Sequence, residues 1–486
     1  MRWPRRVLAT PARRVSVAVC LVVATAVFLA TVPLHRDFFD VGVYYGTVGD
    51  WVHHDGGIYD YLRPGTTYGF TYPPFAAVSM LPMALVSWPV AVGISIALSV
   101  VASALLLHWL AGPVIRREGW CRWFAFVVAG CLFALLEPVR DTFSFGQVNL
   151  LLVALVFADA RLLATGRGRY AGIGIGLATA IKLTPALFIG YLLITGRRRQ
   201  AGVAAGTAGA ATLLAALADP KASRTFWTDA LWNTDRVGSL SYVSNQSLQG
   251  VLARLQPDHP GRALWLVCVL AVLALWAYRA RAAVRDGDER AGFALTGLAA
   301  CLVSPVTWVH HLVWLIPALV VLTDTGLRRG HRERRLPLAL CAAVYVVLCS
   351  SVVWLWRWDS TGADAVLGAN TYVWITLGLL LVRPGRYGRR SVPFPGTGRR
   401  RPGGRGGALT ERLFGQTFGL YPPQHASCPF LAVGPCRTPR PARAPDRAHR
   451  ASDGARHPVR RDRRGGQAAF GARARRPVPR QPECGA

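Results

Sequence analysis

A chain of 486 residues that is 52% hydrophobic and 17% charged carries more apolar surface than one soluble core needs, and its charges sit in clusters between long apolar runs. The formal net charge of +31 does not mark a nucleic-acid-binding protein, because 22 of the arginines fall in residues 384–486, a Pro/Gly/Arg-rich stretch with five acidic residues and no apolar periodicity. What is left is the alternation produced when a bilayer sorts side chains, since an ionised group in hydrocarbon is costly.

The first apolar run, residues 15–34, follows Arg2, Arg5, Arg6, Arg13 and Arg14. Its length matches one bilayer span of about 20 residues, and more spans follow, so it reads as an uncleaved first helix rather than a signal peptide. Further spans are expected near residues 74–111, 122–137, 147–163, 170–182, 184–196, 200–218, 263–279, 291–304, 308–325, 336–356 and 371–383, about twelve in all. The run from Pro74 is too long for one perpendicular helix and is expected to open with a re-entrant or interfacial segment. The run 170–196 must break near Lys182, Thr184 and Pro185, because proline lacks a backbone donor.

Charge gives the orientation. One set of alternate loops holds Arg116, Arg117, Arg161, Arg167, Arg169, Arg197 to Arg199 and the basic stretches 279–290 and 328–335. The other holds Asp37, Asp40, Asp50, Asp55, Asp60, Glu137, Asp141, Asp229, Asp235, Asp359 and Asp364. Arginine-rich short loops stay on the cytoplasmic side, so the N- and C-termini are expected there and the acidic, aromatic-rich loops outside. Two outward loops are long, residues 35–73 and 219–262, and their Trp, Tyr, Asp and Asn suit an ordered, sugar-binding surface. The reading is an all-α polytopic membrane domain over residues 1–383 and a disordered basic cytoplasmic tail over 384–486. Seven of the ten cysteines lie in or beside apolar segments, without CxxC or Cys/His ligand spacing, so neither disulfides nor a cysteine metal site are expected.

Polar residues cluster at the outward helix ends. After the first helix come Asp37 and Asp40, in the run His35 to Tyr45 that also holds Tyr44. A carboxylate there can deprotonate a hydroxyl while a lipid-linked donor keeps its leaving phosphate at headgroup level; two acids three residues apart leave the choice open. Next are Phe70-Thr71-Tyr72-Pro73-Pro74-Phe75, then Glu137 to Asp141 leading into Gly146-Gln147-Val148-Asn149, Lys182-Leu183-Thr184-Pro185, and Ser304-Pro305 through His310-His311. Arg140, Lys182 and one of the two histidines together can neutralise a phosphate by charge-assisted hydrogen bonds. Gly172, Gly174 and Gly176 lie within a span and serve helix packing, not dinucleotide binding. Asn245-Gln246-Ser247 reads as part of a polar site or turn rather than a glycosylation acceptor, and His53-His54-Asp55 lacks the further ligands a metal needs.

Taken in order, Asp40-Val41-Gly42-Val43-Tyr44, the 70–75 segment, Gly146 to Asn149, Lys182 to Pro185, Asn245 to Ser247 and Ser304 to His311 resemble glycosyltransferase family 87 over about residues 35–325. These are polyprenol-phosphate-mannose-dependent α-(1→2)-mannosyltransferases, among them the actinobacterial phosphatidylinositol mannoside enzymes. The resemblance implies a C-type glycosyltransferase (GT-C) fold without a nucleotide-binding domain. It also implies a lipid-phosphate sugar donor, an inverting transfer and no cofactor or metal. The partners would be polyprenyl-phosphate-mannose and a mannosylated lipid or glycan acceptor, at the outer face of a bacterial plasma membrane. It selects Asp40 over Asp37 as the base and gives His310 and His311 contacts to donor phosphate or acceptor. Asp37, Tyr44, Tyr72, Gln147, Asn149, Asn245 and Gln246 are further candidates for substrate contacts. Two alternatives are a transporter or flippase, whose usual mid-membrane charge pairs and internal repeats are not clear in this chain, and a related GT-C enzyme moving a pentose such as arabinose.

Overall fold

The computed structural model describes residues 10–32, 36–256, 261–330, 333, 335–360 and 362–382. The expected C-terminal tail lies outside the described residues. Helix α1, Pro11–Thr31, starts on a Thr10 cap with proline in its first turn and runs 21 residues of mostly Val, Ala and Leu. At 1.5 Å per residue that is about 30 Å, the thickness of a hydrocarbon core. Its side chains Val15, Val19, Val22 and Val23 are exposed, as a lipid-facing helix requires.

The long outward loop expected over residues 35–73 contains a helix, α2, Phe39–His53. Gly42, Gly46 and Gly49 resemble loop residues in sequence, yet two of them let the following strap lie against the helix. A Cβ on Gly46 would fall 2.1 Å from the Tyr61 ring, and one on Gly42 would fall 3.1 Å from the Arg63 guanidinium. The buried face of α2, with Val43, Tyr44 and Val48, packs with Phe70, Ala76 and Phe226 into a small core of its own.

The expected short opening segment at Pro74 is α3, Pro74–Met80, continued by a 3-10 turn to Leu85; the long helix α4, Trp88–Arg117, follows. Pro138 interrupts the next apolar run, so α5, Arg122–Leu135, turns by 72° into α6, Glu137–Phe145. Then come α7, Asn149–Ala164, α8, Ile173–Ile181, and α9, Leu187–Ile194, the last two separated at Lys182 and Pro185 as the sequence requires. Beyond α10, Arg198–Ala218, the mid-chain outward loop is also partly helical, with α11, Pro220–Thr225, and α12, Leu248–Leu255. Helices α13, Arg262–Arg285, and α14, Glu289–Val303, lead to a 3-10 turn over Val309–Leu315 that continues as α15, Ile316–Arg328. The described chain ends with α16, Arg335–Ser350, α17, Ala363–Gly368, and α18, Thr371–Leu381.

Five helical stretches are long and apolar enough to cross a membrane, or six if α5 and α6 form one bent span. Most other expected spans are helices of 8 to 16 residues. At 1.5 Å per residue these reach about 12 to 24 Å, short of a full crossing, because the polar and proline insertions end them early.

Helix α14 is the axis of the bundle: Ala291 through Leu302 are all buried, so it is enclosed on every side. Around its N-terminal end, buried Asp324 takes Arg117, Arg290 and Arg328, and Glu289 takes Arg197 and Tyr191. The arginine-bearing helix ends thus gather at one end of α14, and the polar motifs surround the other.

Candidate active site

Helix α6 serves as the template. Its Ser144 receives the backbone of Arg36 through the side-chain oxygen, at 2.6 Å, and the backbone N–H of Phe38 through its carbonyl, at 3.0 Å. Between them Asp37 and Phe38 both adopt φ of 48°, a tight left-handed reversal that starts α2 at Phe39 and puts Asp40 in its first turn. On the same helix, Thr142 Oγ1 donates to the His310 carbonyl at 3.2 Å, and the Phe145 ring meets the His310 ring at 5.0 Å. One nine-residue helix therefore holds both the strap that carries Asp40 and the turn that carries the histidines.

Lys182 sits where α8 stops. Its ammonium nitrogen donates to Asn149 Oδ1 at 3.1 Å and to the Tyr72 hydroxyl at 3.3 Å, and lies 2.8 Å from His311 Nε2. Tyr72 also accepts from Tyr44 at 3.1 Å and donates to Gln147 Oε1 at 3.0 Å. Behind the network Asn149 Nδ2 donates to the His310 carbonyl at 3.2 Å, and Trp308 N–H donates to His311 Nδ1 at 3.0 Å, which fixes that ring. The His310 ring nitrogens are buried and without a hydrogen-bond partner among the described residues.

These groups line a cavity of about 420 Å³. Asp40 Oδ2 is buried and likewise has no hydrogen-bond partner among the described residues. Burial pushes the Asp40 carboxyl up to about 6, against opposing pulls from a Gln147 hydrogen bond and from the Lys182 and Arg63 charges. A carboxylate with a free oxygen and such a value suits proton abstraction near neutral pH. Across the cavity, Lys182 and the His310 ring are the groups placed to meet an anion, with His311 set against Lys182.

Of the residues expected from sequence, the cavity brings together Asp40, Tyr44, Tyr72, Gln147, Lys182, His310 and His311. Asn149 stands just behind them, orienting Lys182. Arg140 does not join: it faces the end of α16, donating to the Cys349 carbonyl at 3.0 Å and Ser351 Oγ at 3.3 Å, with its guanidinium over Phe28 of α1. A helix turns about 100° per residue, so Arg140 and its neighbour Asp141 point to different walls. Asn245 is scaffold, bonding the Leu240 and Pro305 carbonyls and the Thr307 N–H that shape the turn after α14. Gln246 likewise donates to the Val243 and Ala369 carbonyls, and Asp37 is exposed outside the cavity lining.

Two cationic lining residues escaped the sequence reading, Arg36 and Arg236. Arg36 stands beside Asp37 in the first motif but reads as an ordinary interfacial charge. Arg236, which donates to the Tyr59 carbonyl at 2.6 Å, lies in a segment with no motif. Among the described residues no group of three His, Cys, Asp or Glu side chains is arranged to hold a metal ion.

The profile of glycosyltransferase family 87 matches residues 70–305. The chain is similar to a polyprenol-phosphate-mannose-dependent alpha-(1-2)-phosphatidylinositol mannoside mannosyltransferase of Mycolicibacterium smegmatis. It is 33% identical to that protein over 352 residues, 68% of this chain and 79% of the relative. The Mycobacterium tuberculosis protein of the same description is 31% identical over 374 residues, 71% of this chain and 83% of the relative. A Mycobacterium tuberculosis polyprenol-phosphate-mannose-dependent alpha-(1-2)-phosphatidylinositol pentamannoside mannosyltransferase is 30% identical over 334 residues, 66% of this chain and 75% of the relative. No solved structure matches the chain with significance.

Proposed function

This chain belongs to glycosyltransferase family 87, and from that premise we propose that it moves mannose from polyprenyl-phosphate-mannose to a hydroxyl of a mannosylated lipid or glycan, forming an α-(1→2) bond with inversion. Two of the similar mannosyltransferases are described as phosphatidylinositol mannoside enzymes, which makes a lipid of that class the first acceptor to try. The reaction takes place on the outer face of the plasma membrane, with both termini in the cytoplasm; the arginine-rich ends of the bundle, opposite the cavity, support that orientation.

In this reading Asp40 Oδ2 takes the proton of the acceptor hydroxyl as its oxygen attacks the anomeric carbon from the face opposite the phosphate. The anomeric C–O bond to phosphate breaks and the electron pair stays on the phosphate, where Lys182 and the His310–His311 pair meet the growing charge. One carboxylate suffices, because phosphate leaves without protonation, unlike the alcohol released in glycoside hydrolysis. Tyr44, Tyr72 and Gln147 line the space between base and cation and contact the sugar through their hydroxyl and amide groups.

The observation that carries the reading is that Asp40, whose Oδ2 has no hydrogen-bond partner among the described residues, lines the same cavity as Lys182. Membranes containing the full chain, supplied with polyprenyl-phosphate-[13C]mannose and a mannosylated phosphatidylinositol, test it. An α-(1→2)-linked product by NMR is expected; a product labelled with any other linkage, or no product, contradicts it.

A further inference from the structure

The cavity wall formed by α6 carries an arginine whose surroundings are more organised than an interfacial charge requires. Arg36 follows the outward end of α1, and its side chain is 24% exposed while its partner Asp141 is 1% exposed. Only the Nε edge is engaged, with Asp141 Oδ1 at 3.5 Å; both terminal nitrogens have no protein partner among the described residues. The guanidinium is held over two rings that also line the cavity, 5.5 Å from the Phe145 centroid and 4.8 Å from that of Trp354. Backbone, ion pair and one ring contact all come from α6: Ser144, Asp141 and Phe145.

A guanidinium pinned along its Nε edge and over its faces keeps a two-nitrogen fork free, the geometry that binds a phosphate through parallel hydrogen bonds. Its depth also fits. A phosphate whose polyprenyl chain lies in the bilayer sits where the first span ends, and Arg36 is five residues beyond Thr31, the last residue of α1. The same α6 template holds His310 through Thr142 and Phe145, so Arg36 and the histidine pair occupy one wall. Arg140, the arginine that sequence order would nominate, turns to another wall.

Resting on the transferase reading above, we propose that Arg36 binds the phosphate of the lipid-linked sugar donor and that Asp141 is its positioning residue, setting the guanidinium so that its free fork faces the cavity. Arg36 and Asp40 would then bracket the reacting carbon from one continuous strap. The bond that breaks joins the anomeric carbon to the phosphate oxygen held on the Arg36 side; the proton leaves with Asp40.

The test uses the full chain in lipid nanodiscs and compares equilibrium binding of polyprenyl phosphate with that of uncharged polyprenol. Wild type should prefer the phosphate. R36Q should lose at least about tenfold of that preference and raise the donor KM similarly, with acceptor KM unchanged. D141N should lose part of it, and the double variant should be no worse than R36Q alone, a non-additivity that a purely structural role for Asp141 would not give. If R36Q does not fold, R36K decides the matter, because it keeps the charge but not the fork: a reduced preference supports the proposal and an unchanged one overturns it. Phosphate binding by R36Q equal to wild type also overturns it. If wild type transfers no mannose yet R36Q still weakens polyprenyl phosphate binding, the transferase reading fails and the anion site stands. If mannose is transferred and R36Q keeps its donor KM, the arginine assignment fails alone.

Discussion

Lys182 Nζ lies 2.8 Å from His311 Nε2 and donates to Asn149 Oδ1 and the Tyr72 hydroxyl, so one nitrogen ties together the ends of α7, α8 and the turn before α15. Through Tyr72 it also reaches Gln147, which lines the cavity with Asp40. The anion-binding side of the cavity and the tyrosine and glutamine side chains toward Asp40 therefore share one hydrogen-bonded network.

Replacing Lys182 tests this directly. K182M should reduce kcat/KM for transfer by about 10² or more, since it removes the central cation facing the developing phosphate charge. K182R should not restore activity, because a forked guanidinium cannot occupy a position that is 2.8 Å from one ring nitrogen and 3.1 Å from Asn149. Steady-state kinetics with saturating acceptor give the answer; an active K182R would show that charge alone, not the shared contacts, is required.

The Asp40 carboxyl, pushed up to about 6 by burial, sets a pH dependence of activity. Transfer needs the carboxylate, so kcat/KM should fall about tenfold per pH unit below 6. The sign for stability is the reverse. A carboxyl whose folded-state value is raised above its ordinary one adds stability at low pH that is lost as pH rises through about 6. D40N, neutral at every pH, should therefore unfold at a higher temperature than wild type at pH 8, with an advantage of up to about 3 kcal/mol, and match it near pH 4. Thermal unfolding at both pH values checks this; a D40N protein less stable than wild type at pH 8 would refute the buried-carboxylate account.

Helix α2 depends on two glycine contacts. G46A should destabilise the protein by about 1 to 3 kcal/mol and impair transfer, because the added methyl would fall 2.1 Å from the Tyr61 ring and lift the helix that carries Asp40. G49A meets nothing within 4 Å and should be neutral or stabilising by about 0.5 to 1 kcal/mol through helix propensity. Melting temperatures of the two variants separate a close approach from a general intolerance of alanine in α2.

Asn245 and Arg140 should behave as scaffold. N245A removes bonds to the Leu240 and Pro305 carbonyls and the Thr307 N–H and should cost about 1 to 3 kcal/mol, with donor and acceptor KM little changed in the folded fraction. R140M should leave the donor KM unchanged, since that side chain contacts Cys349, Ser351 and Phe28 rather than the cavity. A tenfold rise in donor KM for R140M would return Arg140 to the phosphate site.

Much of the membrane architecture could be read from the sequence because hydropathy and charge act locally. The break at Lys182 and Pro185, the short helix after Pro74 and the placing of arginine-bearing helix ends together all follow from residue type. The motif residues Asp40, Tyr72, Gln147, Lys182 and His311 were likewise recognisable, since polar groups at helix ends stand out against apolar runs. Three things were not legible. The glycines of α2 look like loop residues until Tyr61 and Arg63 are placed on them. Whether Arg140 or Arg36 faces the cavity depends on the rotation of α6 after its 72° bend, which composition does not encode. Asn245 and Gln246 stand out as polar, but only tertiary structure reveals that their partners are backbone groups of distant turns.

The most direct measurement is a single-turnover assay with purified wild type and D40N, each preloaded with radiolabelled polyprenyl-phosphate-mannose and mixed with excess acceptor at pH 7.5. With Asp40 as the base, D40N binds the donor as tightly as wild type but transfers mannose at least about 10²-fold more slowly. D40N transferring at the wild-type rate would contradict the assignment of Asp40 and, with it, the mechanism built on this cavity.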